Sequence, residues 1–140
     1  MRAQYATKAY SFQDASGKTT DRRPAELVVL LFDKACSSLR RAALTRIEHV
    51  DDMDLTDRLA TIESFHKCTS KAMQIVLALR EMLDMETGGE LSAQLAETYT
   101  LLAQNIWSAT KAHDTADLSK ICEALTELKS AWETIAERSA

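Results

Sequence analysis

Apolar side chains recur every three or four residues through most of this chain of 140 residues, which is the spacing of one face of an α-helix. The clearest such stripe lies near the C-terminus and consists of Leu118, Ile121, Leu125, Leu128, Trp132 and Ile135. Three earlier segments carry a stripe of the same kind. The pattern therefore predicts four helices, at about residues 25–48, 55–86, 90–112 and 115–137.

Residues that interrupt helices are rare, since the chain has one proline and three glycines. Pro24 suits the first turn of the first helix, and Gly88 and Gly89 suit the end of the second. Asp54 is suited to cap the start of the second helix. The connections are short, so consecutive helices are expected to pack antiparallel. We predict an all-α fold, an antiparallel up-down-up-down four-helix bundle over residues 24–140.

Residues 1–23 differ from the rest because they lack a regular apolar pattern. Asp14–Arg23 is rich in Ser, Gly, Thr and charged residues, which is typical of a linker. Tyr5 and Tyr10 are too few to form a core of their own, but they can dock on the bundle. The sequence thus predicts a flexible N-terminal capping segment in front of the bundle.

The four stripes leave a surplus of apolar residues. Leu27–Phe32 is apolar at every position, so side chains such as Val29 and Leu30 lie outside one core-facing stripe. The second and third helices carry a similar surplus. It is compatible with a wide core stripe, with cover by the N-terminal segment, or with a groove for a partner's amphipathic helix. The candidate partner-binding residues are Val29, Leu30, Met82, Leu83, Met85, Leu101 and Trp107.

Charge and cysteine content narrow the classes of function. The formal net charge of −4 argues against a nucleic-acid-binding protein. Three cysteines without paired spacing are typical of a reducing compartment, so we expect a cytoplasmic protein. No stretch is long and apolar enough to cross a membrane, and the N-terminus lacks the apolar core of a secretory signal. We therefore expect no membrane insertion.

Candidate chemistry is sparse. Glu63 and His66 form a single Glu-x-x-His pair, whereas a di-metal helical bundle needs two such pairs and two further glutamates. The chain has neither a glycine-rich phosphate loop nor a Cys-x-x-Cys motif. We therefore expect no metal, no cofactor and no enzymatic activity.

An ordered set of short motifs extends from Tyr10 to Trp132. Its members are Pro24-Ala25-Glu26-Leu27, Leu31-Phe32-Asp33-Lys34-Ala35, Leu83-Asp84-Met85, Gly88-Gly89-Glu90-Leu91, Leu95, Tyr99, Leu128 and Trp132. In this order and at these intervals, the motifs resemble the flagellar secretion chaperone family, FliS, whose members escort flagellin. The chain departs from the family pattern at Arg23, where a serine is usual, and at Phe32-Asp33-Lys34, where Tyr-Asp-Gly is usual.

The resemblance implies a function that composition and spacing do not reveal. A FliS-like protein is an antiparallel four-helix bundle with an N-terminal cap, and it binds the disordered C-terminal segment of flagellin in the cytoplasm. The client becomes helical on the bundle, cannot polymerise meanwhile, and is handed to the flagellar export gate. A flagellar regulatory protein is a further candidate partner. In the family, an N-terminal segment with a tyrosine that matches Tyr10 covers part of the client surface until it is displaced.

Two other functions remain open beside that of an export chaperone. A histidine phosphotransfer bundle would carry an acid-labile phosphate on His66, although Lys67 is adjacent and no glycine follows nearby. A purely structural bundle would dimerise through its apolar surplus without any client. A chaperone instead forms a stoichiometric complex with a helical peptide and is indifferent to His66→Ala.

Overall fold

A computed structural model describes the backbone of residues 12–13, 19–20 and 23–139 and the side chains of residues 25–133. Two short strands, β1 (Phe12–Gln13) and β2 (Thr19–Thr20), pair antiparallel. The helices that follow are α1 (Arg23–Leu44), α2 (Leu55–Glu81), α3 (Gly89–Ala112) and α4 (Thr115–Ser139). A 3₁₀ helix, Ile47–Asp52, connects α1 to α2. Tyr5 and Tyr10 lie outside the described residues, so the capping segment stays a prediction.

The four helices pack against one another as a bundle. α1 makes extensive contacts with α4 on one side and with α2 on the other, while α3 packs mainly on α2. The contact between α3 and α4 is slighter, so α1 and α2 form the centre of the arrangement. The short connections make consecutive helices antiparallel. The predicted all-α four-helix bundle is confirmed.

The apolar stripes of all four helices form one core. Phe32 on α1 is fully buried, and its ring centroid lies 6.1 Å from that of Tyr99 on α3, within the range of favourable aromatic pairs. In the stripe predicted near the C-terminus, Leu128 is partly buried, and the other members as far as Trp132 are buried. The side chain of Ile135 lies outside the described residues. The largest fully buried side chains are Tyr99, Phe32, Phe65, Leu39, Ile47, Leu79, Ile106, Leu118, Leu125, Val28 and Val76.

A sulfur contact and an ion-pair network join α1 to α4. The thiols of Cys36 and Cys122 each lie 3.8 Å from the other residue's carbonyl oxygen. Burial raises the pKa of the Cys36 thiol, so this group stays protonated and is a poor nucleophile. Lys129 Nζ lies 3.1 Å from Asp33 Oδ1 and 3.2 Å from Glu133 Oε1. These contacts establish which side of α1 faces α4.

α1 ends at Leu44, whereas the apolar pattern predicts a helix to about residue 48. The Thr45 hydroxyl donates a hydrogen bond to the Ala42 carbonyl oxygen at 2.7 Å and so competes with continuation of the helix. The chain then forms the 3₁₀ helix, which buries two apolar side chains. The Arg58 guanidinium donates hydrogen bonds to three carbonyl oxygens at the C-terminal end of the 3₁₀ helix, including that of Val50 at 3.0 Å.

α2 ends at Glu81 rather than at about residue 86. The Asp84 carboxylate accepts hydrogen bonds from the backbone N–H groups of Glu86 and Thr87, at 3.1 and 2.9 Å, and from the Thr87 hydroxyl. These bonds give the two N–H groups a partner other than a helical carbonyl, and therefore they stop the helix. Asp84 thereby shapes the corner between α2 and α3.

The corner between α2 and α3 leaves no room for a side chain at Gly88. A Cβ atom there would overlap the Ser92 hydroxyl oxygen and the Asp84 carbonyl oxygen, which are themselves joined by a hydrogen bond of 2.9 Å. Gly89 is needed for a different reason, because its φ of 60° lies in the left-handed region. The two glycines thus provide a close approach and a positive φ at successive positions.

Acid is expected to weaken this corner. Hydrogen bonds from the Thr87 side chain, the Thr87 backbone and the Glu86 backbone lower the pKa of Asp84 in the folded protein. A carboxyl group with a lower pKa in the folded state adds stability above its unfolded pKa, and this stability is lost as pH falls through the folded pKa. We expect the stability difference between the protein and Asp84→Asn to shrink below about pH 4. Urea denaturation at a series of pH values measures it, and a difference that stays constant into acid would contradict this role.

Candidate binding surface

Large apolar side chains are exposed on three of the four helices and on the corner between α2 and α3. They are Leu27, Leu30, Leu44, Leu55, Leu59, Leu77, Met85, Leu101 and Trp107. α4 contributes none as far as residue 133, the last residue whose side chain is described. Single exposed leucines are common in proteins, whereas contiguous apolar surface indicates a binding site. The helical register shows which of these residues lie together.

The first part of α1 presents apolar groups away from α4. Asp33 and Cys36 contact α4, and a helix with 3.6 residues per turn places Leu27 on the opposite side of α1 from them. Leu30 lies on the outer surface between these two sides and is 49% exposed. Because α1 and α2 are antiparallel, this part of α1 lies beside the end of α2, where Met82 is partly buried. A small apolar area therefore spans the start of α1 and the end of α2.

A surface cavity of about 330 Å³ lies between α2 and α3. Arg80 lines it from α2, and α3 supplies Ala96, Glu97, Thr100, Leu101 and Gln104. Leu101 is 56% exposed and forms its largest apolar group. Arg80 and Glu97 add one positive and one negative group. The cavity is therefore suited to an apolar side chain with polar neighbours.

The side of α2 that faces this cavity continues towards the start of the helix. Leu77 precedes Arg80 by three residues, Met73 precedes Leu77 by four, and His66 precedes Met73 by seven. Residues at these intervals lie along one side of an α-helix. Leu77 and His66 are exposed, and Met73 is partly buried. This line of residues extends the cavity into a longer surface.

α3 carries the matching line of residues. Thr100 and Trp107 are seven residues apart and lie on the same side of α3. Trp107 is 53% exposed, and Lys111 Nζ lies 5.4 Å from the centroid of its ring. The two lines meet near the end of α3, where the ring centroids of His66 and His113 are 6.3 Å apart. We call the surface between these lines, from the cavity to the two histidines, the α2–α3 groove.

The structure places the seven predicted binding residues at three depths. The exposed residues are Leu30, Met85, Leu101 and Trp107. Val29 and Met82 are partly buried, and Leu83 belongs to the core. Leu101 and Trp107 lie on the α2–α3 groove. Leu83 is only 7% exposed. A binding role for any of the seven stays a prediction.

The predicted set does not include Leu77 and Arg80, which lie on the groove. Leu77 follows Met73 by four residues and Arg80 follows it by seven, so the sequence alone indicates that the three residues share one side of α2. A single sequence does not show which side of α2 faces outward, since apolar residues occur around most of its circumference. The outward side becomes evident only when α1 and α3 are in place.

The groove offers apolar and polar side chains for contact with a partner. In the described part of the chain, no three His, Cys, Asp or Glu side chains lie close enough together to hold a metal ion. The exposed His66 ring packs edge-on against Phe65, with ring centroids 5.7 Å apart. None of the described helices is both long enough and apolar enough to span a membrane.

Comparison with known proteins assigns the chain to a family. Residues 6–139 match the family described as "Flagellar protein FliS". The chain belongs to the FliS family. It is 29% identical over 137 residues to the flagellar secretion chaperone FliSB of Pseudomonas aeruginosa, covering 96% of this chain and 98% of the relative. It is 28% identical over 133 residues to the flagellar secretion chaperone FliS of Salmonella typhimurium, covering 94% and 90% of the two chains.

Several of the motif residues that resemble the FliS family lie in the core of the bundle or at the corner between α2 and α3. Tyr99 and Trp132 are buried in the core, and Phe32 is buried where the family usually has tyrosine. Asp84 and Gly88 form the corner between α2 and α3. The predicted FliS membership is confirmed. The motif residues named above stabilise the core and the corner between α2 and α3, and they do not identify binding residues.

Proposed function

We propose that this FliS-family protein is a cytoplasmic export chaperone for flagellin. It binds the disordered C-terminal segment of flagellin, prevents premature polymerisation and delivers its client to the flagellar export gate. A flagellar regulatory protein is a further partner in this proposal. The relatives named flagellar secretion chaperones support the class of function. The observation that carries the choice of surface is the α2–α3 groove, with exposed Leu77, Leu101 and Trp107.

The groove has the length of a short helix. From His66 to Arg80, α2 rises by about 21 Å at 1.5 Å per residue, so roughly four turns of a client helix can lie along it. A disordered segment loses conformational entropy when it folds on a partner. Burial of apolar side chains on both partners offsets this loss. Leu27 and Leu30 on α1 offer further apolar contact to a client that wraps around the bundle.

The residues predicted from the sequence divide between two proposed contact areas. Leu101 and Trp107 contact the client in the α2–α3 groove, and Leu30 and Met82 contact it near the start of α1. Val29 and Met85 are proposed as peripheral contacts, since neither lies on the groove. The seventh residue, Leu83, is buried, so a direct contact with the client requires local opening of the end of α2.

Co-expression with flagellin from the same genome tests this function. Intact flagellin is expected to elute with the chaperone from a size-exclusion column as a one-to-one complex. Flagellin that lacks its C-terminal segment is expected to elute separately. A complex that forms equally well without the segment, or no complex with either form, would overturn the proposal.

One substitution, His66→Ala, distinguishes the phosphotransfer function from the chaperone function. His66→Ala removes the only group in question and is expected to leave the flagellin complex intact. Its ring lies at the edge of the groove beside His113, so a modest loss of affinity is compatible with lost contact area. Acid-labile phosphate on the wild-type protein that disappears in His66→Ala would favour phosphotransfer instead.

The N-terminal segment is proposed to cover part of the client surface in the empty chaperone. Tyr5 and Tyr10 would fill pockets that the client later occupies. Deletion of residues 1–20 is then expected to tighten binding of the flagellin segment or to promote aggregation of the empty protein, because apolar surface is uncovered. Fluorescence anisotropy and light scattering measure these two effects, and the absence of both would argue against a covering role.

A further inference from the structure

The first turns of α2 extend beyond the end of α3. The ring of His113, one residue past the end of α3, has its centroid 5.6 Å from that of Phe65 and 6.3 Å from that of His66. α2 begins at Leu55, so the residues before Phe65 have no part of α3 beside them. At 1.5 Å per residue this projecting segment, residues 55–64, is about 15 Å long.

The projecting segment carries an apolar patch on the side that α3 would cover if it were longer. Leu55, Leu59 and Ile62 precede His66 by eleven, seven and four residues, so all four lie along one side of α2. Leu55 is 68% exposed and Leu59 is 58% exposed, while Ile62 is partly buried. Leucines four residues apart are neighbours on a helix, so they form continuous apolar surface. We call Leu55, Leu59 and Ile62 the projecting patch.

The surroundings of the projecting patch are acidic. From the start of the 3₁₀ helix to the end of the projecting segment, residues 47–64 hold six acidic side chains and one basic side chain, a formal charge of −5, whereas the whole chain has −4. All six acidic side chains are exposed, and they are Glu48, Asp51, Asp52, Asp54, Asp57 and Glu63. Within the part of the chain that the structure describes, none of the six forms an ion pair.

Acidic side chains flank the projecting patch on two sides. Glu63 follows Leu59 by four residues and is its neighbour towards the outer surface of α2. On the opposite flank, Arg58 donates a hydrogen bond to the Asp51 carbonyl oxygen at 3.2 Å, which holds the end of the 3₁₀ helix against α2. The side chains of Asp51 and Asp52 are exposed at that end. A partner that covers the leucines therefore meets carboxylates along both edges.

The basic side chains at this end of the bundle do not neutralise the two edges. Arg58 is the single basic residue of residues 47–64, and its guanidinium donates to three carbonyl oxygens of the chain itself. Arg40 and Arg41 belong to α1, which packs on a different side of α2 from α3. Arg46 lies at the start of the 3₁₀ helix, and its end is the part that lies beside α2.

We infer that the projecting patch is a second docking surface, which binds a basic amphipathic helix of a partner protein other than the client. Apolar side chains of this helix cover the two exposed leucines, and lysines or arginines on its flanks meet the carboxylates. The patch lies beyond the two histidines that end the α2–α3 groove, so the groove can hold its client at the same time. Because the surface is small, and because complementary charges chiefly speed association, this docking is expected to be weak and transient.

NMR titration of the full chain with three designed peptides tests this surface. The peptides share a leucine face and carry lysines, glutamines or glutamates on its flanks. At low salt the lysine peptide is expected to bind roughly five- to tenfold more tightly than the glutamate peptide, with the glutamine peptide between them. Its strongest effects are expected on the backbone amide resonances of residues 51–66. The preference is expected to shrink at about 0.5 M salt, where charges are screened within a few ångströms.

Matched substitutions on the protein separate the patch from other exposed surface. Glu63→Lys is expected to remove most of the preference for the lysine peptide, whereas Glu127→Lys, the same charge change on the exposed surface of α4, is expected to preserve it. Leu59→Ser is expected to weaken binding of the lysine peptide about fivefold or more, whereas Leu44→Ser on α1 is expected to change it little. Equal effects within either pair, equal affinities of the three peptides, no binding of any of them, or resonance changes confined to the α2–α3 groove would overturn the inference.

The flagellin complex on the size-exclusion column is a separate readout. It is expected to persist in Leu59→Ser, because Leu59 lies outside the groove. Loss of that complex in a folded Leu59→Ser variant would show that the patch belongs to the client site and would overturn the inference of a second surface. The proposed function can hold while this inference fails, since the lysine peptide and flagellin are measured independently.

Discussion

Replacing Phe32 with alanine is expected to lower the free energy of unfolding by about 3–5 kcal/mol, the range for a large side chain removed from a packed core. Phe32 is fully buried on α1, the helix with the most extensive contacts to its neighbours, and its ring packs near Tyr99. Domains of this size are usually stable by about 5–15 kcal/mol, so the loss is a large fraction of the total. Urea denaturation followed by circular dichroism measures it.

Leu30→Ala is the matched control for this substitution. Leu30 lies two positions earlier on the same helix and is 49% exposed, so its truncation is expected to change stability by about 0.5 kcal/mol or less. Similar losses for the two variants would mean that α1 presents a different side to the core. A loss below about 1 kcal/mol for Phe32→Ala would show that the site repacks or is less buried than described.

The interiors of the helices were predictable because burial repeats with the helical period. Phe32, Tyr99 and Leu125 each occupy a regular position in an apolar stripe, and each is fully buried. The ends of α1 and α2 were not predictable in the same way. Thr45 and Asp84 divert backbone groups into local hydrogen bonds, and such residues also occur within helices, so their sequence alone does not mark a terminus.

The candidate surface was predictable only in part, for a related reason. Leu83 and Leu101 are the same residue type, and each lies outside the main stripe of its predicted helix. Leu83 follows the buried Leu79 by four residues and the buried Val76 by seven, so it faces the core and is 7% exposed, while Leu101 remains on the outer surface at 56%. A surplus of apolar residues thus indicates that part of the surface is apolar, but the position of that surface depends on which neighbours each helix meets.

The second large effect is expected in client binding. Trp107→Asp removes the largest exposed apolar side chain of the α2–α3 groove and places a negative charge beside Lys111. Buried tryptophans at interfaces commonly contribute 2 kcal/mol or more, so affinity for the flagellin C-terminal segment is expected to fall by about thirtyfold or more. Isothermal titration calorimetry with the isolated segment measures the change. Because Trp107 is half exposed in the free protein, thermal stability is expected to change little.

Leu44→Asp distinguishes specific client binding in the α2–α3 groove from binding to exposed apolar surface in general. Leu44 is 83% exposed, more than any other large apolar residue described, but it lies at the last position of α1 and away from the α2–α3 groove. If the client recognised exposed apolar area in general, Leu44→Asp would weaken binding at least as much as Trp107→Asp. If the groove is the site, only Trp107→Asp reduces affinity strongly. Equal losses in two folded variants would therefore mean that the client recognises exposed apolar area in general and that the groove is not its specific site.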